Sequence, residues 1–198
     1  MYTEHFGLAA KPFSLIPEAD SVYFSPTHLA AFNVRHLLRR IDYDQLTLGL
    51  ISTTHRSFGS LLKWIVDAFR LDVPNDDAGM LLQTIQEFLL REYAAGKRTV
   101  IVIDEAQNTD IADLETLRLL TNINADGQQL LQIIVVGQPG LRDKFHDPSM
   151  SQLAQRVSAE YNLQPLSTIE TMSYVNYRIG QVGGKKNIFD TAALLAVY

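Results

Sequence analysis

The chain has 198 residues, 46% of them hydrophobic, and a formal net charge of −5 with acids and bases interspersed. That suffices for one sizeable buried core, and it offers no basic stripe of the kind that follows a nucleic-acid backbone. The absence of cysteine excludes disulfides, thiolate zinc sites and cysteine nucleophiles.

In chain order, residues 1–27 scatter Pro12, Pro17 and Pro26 among Tyr2, Phe6, Phe13, Tyr23 and Phe24 with neither helical nor strand period, and read as an extended arm packed on a domain. The start lacks the basic end and long apolar core of a signal peptide, and no apolar run reaches membrane-spanning length. "THLAAFNVRHLLRRI", 27–41, predicts a helix, and "LTLGLIS", 46–52, a short strand. Ser57 is placed to cap the next helix, where Leu61, Leu62, Ile65, Val66 and Phe69 recur at helical spacing until "DVPNDD" interrupts them. A second helix carries Leu81, Leu82, Ile85, Phe88 and Leu89 inward and ends near Gly96.

"TVIVID", 99–104, is continuously apolar, which fits a central strand buried on both faces of a parallel sheet. "DIADLETLRLLTNI" predicts a helix with Ile111, Leu114, Leu117 and Leu120 in register, and "LLQIIVVGQP" a second apolar strand closed by Gly137 and Pro139. Short helices follow around "GLRDKF" and through "SQLAQRV", and "SAEYNLQPLS", 158–167, reads as a final strand. Ser167 and Glu170 have capping-box spacing for the helix "TIETMSYVNYRIGQV", and "FDTAALLAVY" begins one more. The alternation of strands and helices predicts a mainly parallel α/β sheet plus the start of a helical appendage.

"TVIVIDEAQN" ends its strand on two adjacent carboxylates. Phosphate chemistry can use such a pair: Asp104 beside a magnesium ion, Glu105 orienting or deprotonating an attacking water. A strand end followed by a polar turn is the alternative reading of the same residues. The surroundings add weight. "VIVIDEAQN", the amphipathic "LETLRLLTNI", "LLQIIVVGQPGLRDKF", "QLAQRVSAEYNLQPLS" and the opening "MYTEHFGLAAKPFSLIPEADSVYFSPTHLAAF" together resemble the ExeA/GspA ATPase family of type II secretion, within the AAA+ P-loop superfamily. Transposition ATPases of the TniB and MuB kind share the carboxylate strand and the strand after it, and look less similar at the arm.

The resemblance implies a parallel AAA+ sheet with helices on both faces, an N-terminal arm over 1–27, an α/β core over 28–166 and the start of a helical lid over 167–198. It also implies a phosphate-binding GxxxxGK[ST] loop, whose amides and lysine grip the phosphates. Gly96-Lys97 is followed by Arg98 and Gly184-Lys185 by Lys186, and neither pair has the required earlier glycine. The motif is absent. "HLAAFN" resembles the helix before the family's first strand, and "VRHLLRRIDYDQLTLGLIS" the helix after its loop and then the second strand. The two meet near residues 33–35, which predicts a loss on the order of 30 residues, including the first strand itself. The expectation that follows is an incomplete ATPase whose phosphate half, remaining lid and nucleotide-sensing arginine are missing, and whose sheet therefore has an unfilled position.

By the resemblance, Gln138 corresponds to the residue that senses the terminal phosphate and Arg156 to the arginine finger offered to a neighbouring subunit, with Arg142 the second candidate. An ordinary turn glutamine and a solvated helix arginine are the alternatives. Phe13 and Pro17 are placed by the resemblance to lie against adenine, while packing explains most of the arm aromatics equally well. His28, His36, His55 and His146 lack metal-ligand spacing. The implied cofactors are ATP and magnesium. The implied partners are further copies of the chain and envelope or secretion proteins, at the cytoplasmic face of the inner membrane. A non-catalytic interaction module and a DNA-transposition regulator stand as alternatives.

Overall fold

A computed structural model describes residues 2–13, 23, 25, 45–52, 59–185 and 188–196. The chain forms two compact units, Arg40–Glu160 and Met1–Arg39 with Tyr161–Tyr198. Described elements are numbered in chain order. In the larger unit they are β1 (Leu46–Ile51), α2 (Leu61–Ala68), α3 (Ala78–Ala94), β2 (Arg98–Ile103), α4 (Ile111–Leu120), β3 (Asn124–Ala125), β4 (Gln128–Gln129), β5 (Leu131–Val135), α5 (Pro139–Phe145) and α6 (Ser151–Ala154). The smaller unit holds α1 (Tyr2–His5), α7 (Thr168–Gln181) and α8 (Thr191–Leu195).

The main sheet is parallel with order β1-β2-β5, so the strand that ends in the carboxylate pair is central among those described. Register puts Gly49, Ile101 and Ile133 side by side, and likewise Ile51, Ile103 and Val135. Side chains alternate along a strand, so these rows share one face. That face meets the core: Ile101 and Ile103 are buried with Leu61, Ile65 and Val66 of α2, Leu81, Ile85 and Leu89 of α3, and Leu114, Leu117 and Leu120 of α4. The opposite face carries Leu48 and Leu50, 40% and 61% exposed, beside buried Val100. The continuous apolar strands suggested burial on both sides. Only β2 approaches that, because β1 and β5 are its flanks rather than central strands.

Local signals account for the helix ends. Ser60, not Ser57, caps α2, its side chain accepting from the Lys63 N–H, and Ser57 lies outside the described residues. Asp77 caps α3 and Asp110 caps α4 in the same manner. Ile111, expected inward, is 39% exposed because it is the first residue of α4, while Leu114, Leu117 and Leu120 turn to the core. Between α4 and β5 the chain makes an unexpected hairpin, β3–β4, around Asp126 and Gly127 with φ of 51° and 76°. Asp-Gly is the usual residue pair for such a tight hairpin turn, and the Tyr93 hydroxyl donates to Asp126 at 3.2 Å.

Two further expectations are corrected. The helix through "SQLAQRV" stops at Ala154, and residues 157–167 form no strand. An extended segment becomes a strand only by hydrogen-bonding a neighbour's edge. β5 pairs with β2 alone among the described residues, as an unfilled position beside it would leave it. The helix predicted over 27–41, with the junction near 33–35, lies outside the described residues.

In the smaller unit α7 begins with the expected capping box: the Ser167 side chain accepts from the Glu170 N–H, and the Glu170 carboxylate accepts from the Ser167 N–H at 2.9 Å. Val175 and Ile179 of α7 are buried with Leu194 of α8, and Leu8 packs on them. The arm, which lacked helical period, contains the single turn α1 and then docks on α7. Ala9 donates to the Val182 carbonyl at 2.8 Å and Arg178 Nε to the Pro12 carbonyl at 2.7 Å.

Candidate functional site

The C-terminal ends of parallel strands are where α/β folds gather chemistry, because the loops there leave the sheet together. β2 delivers Asp104, whose N–H still donates to the Ile51 carbonyl of β1 at 2.8 Å. On the other side the Ala106 N–H donates to the Val136 carbonyl at 3.0 Å, so the chain just past the carboxylates stays fastened to the end of β5. Between these anchors Glu105 takes a left-handed backbone, φ 52° and ψ 32°, and a short 3-10 turn follows over Ala106–Asn108. A left-handed glutamate is uncommon; such strain is held only where surrounding contacts enforce it, and it collects at functional positions. Here the reversal turns the Glu105 side chain outward while Ala106 is wholly buried.

The side chains then interlock. Asp104 Oδ1 accepts from the Glu105 N–H at 2.8 Å. Gln107 Nε2 donates to Glu105 Oε2 at 2.5 Å, and Gln107 Oε1 accepts from the Gln138 N–H at 3.0 Å. Lys144 of α5 donates to the carbonyls of Gln107 and Thr109 at 2.6 Å each, clamping the turn from below. Gly137 makes the approach possible, since a Cβ there would fall 2.8 Å from Gln107 Oε1 and 2.9 Å from Leu141 Cδ2.

Asp104, Glu105 and Gln138 are thus brought together at one end of the sheet. Arg156 is exposed just beyond α6, and its side chain makes no hydrogen bond or ion pair among the described contacts. Arg142, the second finger candidate, pairs with Glu160 at 3.0 Å. Phe13 belongs to the smaller unit, where its ring meets Tyr174 at 6.3 Å between centroids, and Pro17 lies outside the described residues. Gln107 and Lys144 were not singled out from sequence. The signal for Gln107 was its place two residues after the glutamate, but its bridging role depends on where β5 ends.

The residues at this strand end fit the carboxylate side of a nucleotide site. The Glu105 N–H engages Asp104 through one oxygen, and the second Asp104 oxygen lies outside that bond, while a magnesium ion in such a site leans on phosphate oxygens as much as on protein. The amide cradle and lysine that would fix those phosphates have no counterpart in the sequence.

The fold and this strand-end arrangement define an AAA-type α/β module, and the model of the AAA domain family matches residues 26–145. The chain belongs to the AAA family, in its ExeA/GspA-like branch. General secretion pathway protein A of Aeromonas hydrophila is 36% identical over 227 aligned positions that take in 100% of the chain and 41% of that protein. The chain thus spans about two fifths of that relative. The alignment also runs 29 positions beyond the 198 residues of the chain, so the relative carries at least 29 residues that the chain lacks. Among solved structures, Aeropyrum pernix ORC2 in its ADPNP-ADP complexes matches with a TM-score of 0.56 at 18% identity, over 83% of the chain and 44% of that protein. Cdc6p from Pyrobaculum aerophilum matches with a TM-score of 0.61 at 14% identity, over 84% and 44%. These likenesses show the fold.

Proposed function

We propose that the chain is the ATPase module of an envelope or secretion assembly factor, retaining the metal and water half of its site and lacking the phosphate half. The observation that carries the reading is the joined placement of Asp104, Glu105 and Gln138 at the end of the central strand. In a complete protein Asp104 is the magnesium-side acid, Glu105 the base toward water and Gln138 the sensor of the terminal phosphate. Arg156 is the finger toward a second copy, a role supported by its exposure and by the engagement of Arg142 with Glu160. Phe13 and Pro17 are the adenine-side candidates. The relative's name supports a place in secretion; a position at the cytoplasmic face of the inner membrane is part of the same proposal. Among the described residues no helix is long and apolar enough to cross a membrane.

As it stands the chain binds nucleotide poorly and is inactive or nearly so, because a carboxylate pair without an amide cradle supplies negative charge where phosphates need positive. Calorimetry with magnesium and ATP tests this on the chain, on its Glu105→Gln variant and on a version carrying the relative's missing segment. Binding confined to the version with the segment is the expected result; tight binding by the chain itself overturns it. A second reading, a non-catalytic interaction module, draws on the exposed Leu48 and Leu50 of β1. Stable self-association indifferent to nucleotide would favour it.

A further inference from the structure

We propose that Gln107 is a positioning residue that ties the Glu105 carboxylate to the end of β5, so that Glu105 and Gln138 move as a unit. The inference deepens the proposed function and rests on the role given there to Glu105.

The chemistry of the two contacts fixes the orientation of the amide. A backbone N–H can only donate and an ionised carboxylate can only accept, so the oxygen of Gln107 must face Gln138 and its nitrogen must face Glu105. A flipped amide would lose both bonds. Few side chains can replace it. Glutamate keeps an acceptor but sets a charge against Glu105, methionine keeps the length and loses both partners, and asparagine is one methylene too short. The support is built on three sides: Lys144 holds the carbonyls flanking the turn, Gly137 admits the side chain, and the Ala106 N–H pins the turn to Val136. Glu105 meanwhile sits in a left-handed conformation that its own backbone disfavours. A displacement of the end of β5 therefore reaches the Glu105 carboxylate through Gln107 and its backbone through the Ala106–Val136 bond.

The test uses Gln107→Glu and Gln107→Met in the full chain. Amide exchange at Gln138 and the carboxyl-carbon NMR resonance of Glu105 are read first. Gln107→Glu should leave Gln138 protected and move the Glu105 resonance. Gln107→Met should move the resonance and speed Gln138 exchange by roughly 10-fold. An unmoved Glu105 resonance in both variants overturns the proposal. The same substitutions in the version with the missing segment give the second readout: kcat for ATP should fall roughly 10- to 100-fold with KM unchanged. Parent-like kcat in both variants overturns the positioning role and reduces Gln107 to a packing contact. If the parent version with the segment hydrolyses no ATP, the proposed function fails, and the NMR result still decides whether Gln107 holds Glu105.

Discussion

The two faces of the three-stranded sheet are built from equally apolar sequence and end up in different environments. The difference is sharpest on the flanking strand β1, where Ile51 is 5% exposed in the core and Leu50, on the other face, 61%; on the central β2, Ile101 and Ile103 are at most 1% exposed and Val100 of the other face is itself buried. β-branched and leucine-rich strands are written for two covering layers. The contrast teaches that a strand's composition records the layers its fold normally has, and does not by itself decide how much of each face is covered.

The largest expected effect lies on the packed face. Ile101→Ala should cost about 2–5 kcal/mol, as deletion of a wholly buried branched side chain does, read from chemical denaturation. Leu50→Ala should cost under about 1 kcal/mol, since little of that side chain leaves water on folding. Equal losses at the two positions would break the comparison. Gly137→Ala comes next: its Cβ collides with Gln107 and Leu141, so a loss of about 1–3 kcal/mol is expected, with faster Gln138 amide exchange. In the smaller unit Ser167→Ala should cost about 1 kcal/mol through the lost cap and leave protection of β2 unchanged in hydrogen exchange. Glu105→Gly should raise stability by about 0.5–1 kcal/mol by relieving the left-handed backbone.

The smallest effect concerns acid. Asp147 is held below its ordinary carboxylate value of 3.8 by the Ser149 hydroxyl and N–H. A depressed folded value stabilises above the unfolded one and is lost as pH falls through the folded one. Ser149→Ala should therefore shrink a small stability difference that is present near neutral pH and fades as pH falls below 3.8 and through the lowered folded value, visible by comparing melts of the two proteins across the acid range. Leu50→Lys sharpens the contrast of faces differently: if the exposed Leu50 of β1 drives association, sedimentation should show less self-association with unchanged melting. Adding the segment that the relative carries should raise stability and fill the position beside β5, which protection of β5 amides would report.

Most elements were legible from local pattern. The burial of Leu81, Ile85, Phe88 and Leu89 on α3, the capping box at Ser167 and the carboxylates at the end of β2 all follow from spacing alone. The hairpin at Asp126-Gly127 carried its own turn signal and was hidden by the helical pattern running into it. Other features were not local properties. Residues 157–167 have strand-like sequence, but a strand is a relation between two chains of peptide groups, and among the described residues they pair with none. The site shows the same division. Asp104 and Glu105 were readable because two carboxylates closing an apolar run depend only on neighbours in sequence. The left-handed turn at Glu105, the Gln107 bridge and the clamp by Lys144 were decided only in the tertiary structure. Each needs β5 and α5, some thirty residues further along the chain, to dock against the end of β2 before its hydrogen bonds can form.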